Sequence, residues 1–180
     1  MILATIFLLS CSVEVVYSQL SEDIILEPAK AKPGIHIGQE AKDLEFESPS
    51  GDMIALSSLR GQMVLIDFWA AWCGPCRRQH PHMRQLYHHY KDKEFVNGSG
   101  FTIFSVSLDK NRENWIAAIE KDTLVWESHV SDLRGMKSIA AQRYEVHSIP
   151  ANVLIDGDGI ILAVGQRGRY LEDKLKEYLK

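Results

Sequence analysis

Two of the three cysteines stand close together in Trp72-Cys73-Gly74-Pro75-Cys76, and Cys11 lies far from them. A Cys-x-x-Cys pair serves dithiol exchange, a structural disulfide or a metal site, and the flanking residues choose among these. The apolar run Met63–Trp69 precedes the pair and a helical pattern follows it to about Tyr90. Cys73 therefore falls at a helix N-terminus, where unpaired backbone N–H groups and the macrodipole favour an anion. That anion is a thiolate, whose pKa in such a place drops from about 8.5 into the range of about 3.5 to 7.5. Cys76, one turn into the helix, is predicted to be the more buried, resolving thiol. Pro75 suits the first turn, where its missing N–H costs nothing. Asp67 is the other residue of note, because its neighbours in the run are apolar on both sides. An unpaired buried carboxylate costs several kcal/mol, and its pKa moves toward neutrality.

Metal chemistry is the competing reading. Tetrahedral zinc takes four ligands, and a single Cys-x-x-Cys supplies two. His80 lies four residues after Cys76 and shares its helical face, so a copper-handling module built on Cys73, Cys76 and His80 stands as an alternative. His80 equally fits a core position on the stripe Cys76, His80, Met83, Tyr87 and Tyr90. Haem attachment through Cys-x-x-Cys-His is excluded, since Arg77 follows Cys76.

The elements that must position these residues follow from hydrophobic periodicity. Leu44–Glu47 alternates as a half-exposed strand, a turn spans residues 48–52, and Met53–Leu56 pairs back as a hairpin. A single helical turn ends at Gly61. Met63–Trp69 and Phe101–Leu108 are near-continuous apolar runs, typical of strands covered on both faces. Helices are predicted from about Cys73 to Tyr90, over Arg112–Lys121, over Ser138–Tyr144 and over Tyr170–Leu179. Trp126–Val130 is a weak strand. Ala151–Ile155 and Ile160–Val164 form a hairpin around the turn Asp156-Gly157-Asp158-Gly159. Alternating strands and helices with an antiparallel edge hairpin make a mixed α/β fold.

The string Phe68-Trp69-Ala70-Ala71-Trp72-Cys73-Gly74-Pro75-Cys76 resembles the thioredoxin active site, and the resemblance runs from about Ile37 to Lys180. Asp67 matches the buried aspartate of thioredoxins, Pro81 their helix-kinking proline, and Ser148-Ile149-Pro150 the loop whose cis-proline faces the cysteines. Within the superfamily the chain is most similar to exported TlpA/ResA-like thiol–disulfide oxidoreductases, which carry an N-terminal β-hairpin and a central αβ insertion. Residues 108–147 are long enough for that insertion. Those relatives often carry a glutamate three residues after the second cysteine, where this chain has Gln79. A neutral amide is no proton acceptor, which leaves Asp67 as the acid–base group.

The resemblance implies dithiol–disulfide exchange by Cys73 and Cys76 without a cofactor. Trp72, Gly74, Pro75, Ile149 and Pro150 would hold the substrate. Gly74-Pro75 resembles the reducing thioredoxins, near about −270 mV against about −120 mV for the oxidant DsbA, a gap of about 7 kcal/mol for two electrons. Implied partners are exported proteins with disulfides, such as apocytochrome c, and a membrane thiol electron donor, with the chain acting as a monomer. A thiol peroxidase of the same fold is an alternative, but it needs Thr or Ser three residues before the reactive cysteine, where Ala70 stands.

Ile2–Leu9 is wholly apolar, too short for a transmembrane helix and of the length of a secretory signal core. Leu8-Leu9-Ser10-Cys11 resembles a bacterial lipobox, which makes Cys11 a candidate lipid anchor on the periplasmic side of a cell envelope. Cleavage after Ser18 is the alternative, and no Lys or Arg precedes Ile2 as signal peptides usually have. Residues 1–10 thus read as a signal segment, 11–35 as a tether and 36–180 as the folded domain. Over 180 residues the chain is 46% apolar and 24% charged, as in globular proteins. With Lys and Arg numbering 20 against 24 Asp and Glu, the net charge is −4, without the basic excess of a nucleic-acid binder.

Overall fold

The computed structural model describes residues 31–180. The Ile2–Leu9 segment, Cys11, the Ser18 alternative and the tether as far as Lys30 lie outside the described residues.

Two strands build the centre. Met63–Trp69 and Phe101–Ser107 are buried at every residue, as continuous apolar runs require when both sheet faces are covered. In chain order the strands are β1 Pro33–Gly34, β2 Glu40–Ala41, β3 Glu45–Glu47, β4 Met53–Ala55, β5 Met63–Trp69, β6 Glu94–Phe95, β7 Gly98–Ser99, β8 Phe101–Ser107, β9 His129–Val130, β10 Ala151–Ile155 and β11 Ile161–Val164. The helices are α1 Gly74–Tyr90, α2 Arg112–Lys121, α3 Ile139–Arg143 and α4 Arg169–Glu177. A five-stranded sheet runs β11-β10-β5-β8-β9. β8 is parallel to β5 and to β9, while β10 is antiparallel to β5 and to β11. Parallel neighbours need long crossovers, and α1 and α2 supply them.

The β3–β4 hairpin forms as its alternation predicts, pairing Glu45 with Ala55 and Glu47 with Met53. The central insertion holds α2, β9 and α3. Its strand is shorter than the predicted Trp126–Val130, because the chain turns just before it, with the His129 N–H donating to the Glu127 carbonyl at 2.9 Å, and Trp126 is held by its side chain instead. The indole N–H donates to Ser105 Oγ at 2.9 Å, and the ring stacks on His129. Two short ladders carry no sequence periodicity. Pro33–Gly34 pairs with Glu40–Ala41, and Glu94–Phe95 pairs with Gly98–Ser99. The second is tied to the carboxyl end through Val96 N–H to Tyr178 O and Lys180 N–H to Glu94 O. Gly98 is required there, since a Cβ would lie 2.9 Å from the carbonyl of Gly61.

Candidate active site

The site lies where the C-terminal ends of β5 and β8 meet the start of α1. Register sets Trp69 beside Ser107, so both loops that follow emerge together. Cys73 is the N-cap of α1, and its Sγ accepts the backbone N–H of Cys76 at 3.2 Å. Pro75 occupies the first turn. The two sulfurs form a disulfide at 2.02 Å. In this oxidised state both cysteines are buried, Cys73 at 4% and Cys76 at 2% exposure, so the predicted contrast between them is slight. Trp72, 61% exposed, stands beside Cys73, with Gly74 and Pro75 also exposed.

Asp67 lies under this surface on β5, buried and opposite Asn152 of β10. Burial pushes its carboxyl up to about 7, opposed in part by the positive charge of Arg167. The Ile149–Pro150 peptide bond is cis. Because Ala151 pairs with Phe68, Pro150 sits next to the C-terminal end of β5, at the cysteine end of the sheet. The Arg167 guanidinium donates to the carbonyl of Pro150. Cys73, Cys76, Asp67, Trp72, Gly74, Pro75, Ile149 and Pro150 therefore gather at one end of the fold.

Three further groups escaped the sequence reading. Asp109, just beyond β8, is buried, and its Oδ2 accepts the N–H of Ala71 at 2.9 Å and the hydroxyl of Ser107 at 2.8 Å. It braces the turn before Trp72. A polar residue just past a buried central strand was the available signal, since α/β sites collect at strand C-termini. Arg167 left no signal, being in a Gly-rich loop distant in sequence. Asp122, the C-cap of α2, binds Arg77 through two bonds, 2.8 Å from Nε and 2.5 Å from a terminal nitrogen. It also accepts from His80 Nδ1 at 2.7 Å. The acceptor carboxylate fixes the proton on Nδ1.

His80 is buried, and its ring meets Trp69 edge-on at 4.8 Å. Burial lowers its pKa, with the Asp122 bond opposing. The Arg77 bonds, more than the His80 contact, hold Asp122 below its ordinary value. His80 is thus a core residue joining two helices. Among the described residues no three His, Cys, Asp or Glu side chains are grouped to hold a metal ion.

Comparison with known proteins places this geometry. Residues 37–164 match the AhpC/TSA family model. Thioredoxin-like protein YneN of Bacillus subtilis is 32% identical over 133 residues, 74% of this chain and 73% of that protein. Thiol-disulfide oxidoreductase ResA of Bacillus cereus is 28% identical over 151 residues, 83% of this chain and 80% of its own. Among solved structures, the C-terminal domain of a putative thiol-disulfide oxidoreductase from Bacteroides thetaiotaomicron superposes with a TM-score of 0.72 at 33% identity, covering 80% of this chain and 96% of that one. The thioredoxin domain of a thiol-disulfide oxidoreductase from Bacteroides vulgatus gives a TM-score of 0.72 at 30% identity, covering 82% of this chain and 100% of the other. A helix-capping cysteine pair on this fold, matched along most of its length, means that the chain belongs to the AhpC/TSA family and is a thioredoxin-like enzyme of the thiol–disulfide oxidoreductase class.

Proposed function

We propose that the chain reduces disulfides in exported polypeptides through Cys73 and Cys76. The observation that carries this reading is the sulfur of Cys73 capping α1 and accepting the Cys76 N–H at 3.2 Å, an arrangement that favours the thiolate once the disulfide is opened. The reduced enzyme attacks one sulfur of a substrate disulfide with the Cys73 thiolate. A Cys73–substrate mixed disulfide forms and the first substrate thiolate leaves, taking up a proton. Asp67, half-ionised near pH 7, accepts the Cys76 proton through water. The Cys76 thiolate attacks Cys73 Sγ, releases the second substrate thiol and leaves the enzyme oxidised. Two electrons pass to the substrate.

Trp72, Gly74, Pro75 and the Ile149–Pro150 loop form the platform on which the substrate backbone lies. A membrane thiol donor returns the electrons, and export rests on Ile2–Leu9, with Cys11 as the anchor. Apocytochrome c is a candidate substrate of this class, and one chain suffices for a turnover. A Cys76→Ser variant expressed in the envelope is expected to trap partners as mixed disulfides on Cys73, and Cys73→Ser to trap none. Absence of any captured protein would overturn the reading. The peroxidase alternative lacks the hydroxyl it needs, since buried Ala70 stands there, so the reduced protein is expected not to consume peroxide.

A further inference from the structure

A hollow of about 520 Å³ opens beside Trp72, between the start of α2 and the loop at 134–137. Leu108 lines it, and Trp72 and Met136 contribute exposed apolar surface. Lys110, Arg134 and Lys137 also line it, and all three are exposed. None of them forms an ion pair among the described residues. The one carboxylate in the lining, Asp109, is buried and occupied by the Ala71 N–H and the Ser107 hydroxyl. A chain of net charge −4 thus presents a locally cationic hollow next to its reactive disulfide.

The loop backbone leaves room for one of these side chains. Gly135 has φ +61, and a Cβ there would lie 2.9 Å from Cε and 3.1 Å from Cγ of Lys110. Glycine lets the lysine stem lie across the loop. The first turn of α2, capped by Asn111 accepting the Asn114 N–H at 2.7 Å, lines the same wall and adds the positive end of its dipole. A second hollow of about 310 Å³ shares Trp72, Asp109 and Asn114 with the first and extends to Lys121.

We propose that this hollow is a specificity subsite for a polypeptide segment that carries carboxylates and an apolar side chain close to its disulfide. The inference rests on the exchange reading and names its substrate class. Three unpaired cations around one opening repel each other, and an acidic segment relieves that repulsion while Trp72 and Met136 cover its apolar side chain. A free inorganic anion would leave those apolar walls unused.

The test uses the pre-reduced protein and two disulfide-bridged peptides that differ only in Asp or Lys beside the cysteines, with hydroxyethyl disulfide as a small neutral substrate. At low ionic strength the second-order rate constant for oxidation of the reduced protein is expected to favour the acidic peptide by about tenfold, and the gap to close at high salt. In Lys110→Glu/Arg134→Glu/Lys137→Glu the preference is expected to invert. The Gln triple variant, which removes the three charges but keeps polar side chains, is expected to reduce both peptides equally. Equal rates in the wild type, or a preference that survives in the Gln triple variant, would overturn the subsite while hydroxyethyl disulfide reduction left the exchange reading standing. Failure of the wild type to reduce any of the three disulfides would overturn the exchange reading and the subsite with it.

Discussion

At the scale of single residues the chemistry turns on two acids, the Cys73 thiol and the Asp67 carboxyl. The first sits where α1 begins, and the second is lifted to about 7 chiefly by burial. Asp67→Asn removes the proton acceptor but keeps shape and size. Resolution of a preformed Cys73 mixed disulfide, followed in single turnover, is expected to slow by about 100-fold. In the wild type this rate should rise with pH through about 7, because only the carboxylate can accept a proton, and the Asn variant should lose that inflection. An unchanged profile would remove Asp67 from the mechanism. Asp67 was legible because a lone carboxylate interrupts an apolar run. Its companions Asn152 and Arg167 were not, since they approach it from strands and loops that sequence distance separates by 85 residues or more.

At the scale of elements, α1 must hold its first turn steady while the sulfurs exchange partners. Asp122 does much of this, joining the end of α2 to Arg77 and His80 on α1. Asp122→Ala leaves a buried imidazole N–H and a half-buried guanidinium unpaired. Unfolding of the oxidised protein by denaturant should show a loss of about 2–3 kcal/mol. The hydrogen-bonded Nδ1 proton of His80, visible by NMR, should vanish from its downfield position. At the start of α2, Asn111→Ala removes the cap on Asn114 and is expected to cost about 1 kcal/mol in the same assay. The long helices were readable because periodicity accumulates over ten residues or so, and the two central strands because seven buried residues in a row leave an almost unbroken apolar run. The two-residue ladders at Pro33–Gly34 and Glu94–Phe95 were not, because too few residues repeat to leave a pattern.

At the scale of the whole molecule, two buried groups pull stability in opposite directions with pH. Asp67 keeps its proton in the folded state up to about 7, whereas the unfolded chain loses it near 3.8. The folded state binds more protons across that window, so this contribution to stability is lost as pH rises toward 7. His129, buried against Trp126, is lowered to about 4 from 6.5, chiefly by burial. The unfolded chain therefore takes up a proton that the folded state refuses, and stability falls as pH drops from 6.5 to 4. Between those limits the two slopes nearly cancel. Asp67→Asn should expose the His129 contribution as a rise on the order of 3 kcal/mol in unfolding free energy from pH 4 to 6.5, measured by denaturant titration. His129→Gln should expose the opposite fall. A variant profile parallel to the wild type would show that Asp67 does not carry a raised pKa.

What the linear chain settled by itself was chemistry and local form: a Cys-x-x-Cys at a helix start, an acid inside an apolar strand, and the alternation of strands and helices. Those are short-range properties, written in spacing and hydrophobic period. Tertiary structure alone decided which distant side chains meet them. It brought Asp109 under Ala71, Arg167 onto the Pro150 carbonyl, Asp122 between Arg77 and His80, and three lysine and arginine side chains around one hollow beside Trp72. Such meetings depend on sheet order and loop packing, and no local pattern in the sequence encodes a contact between residues that only folding makes neighbours.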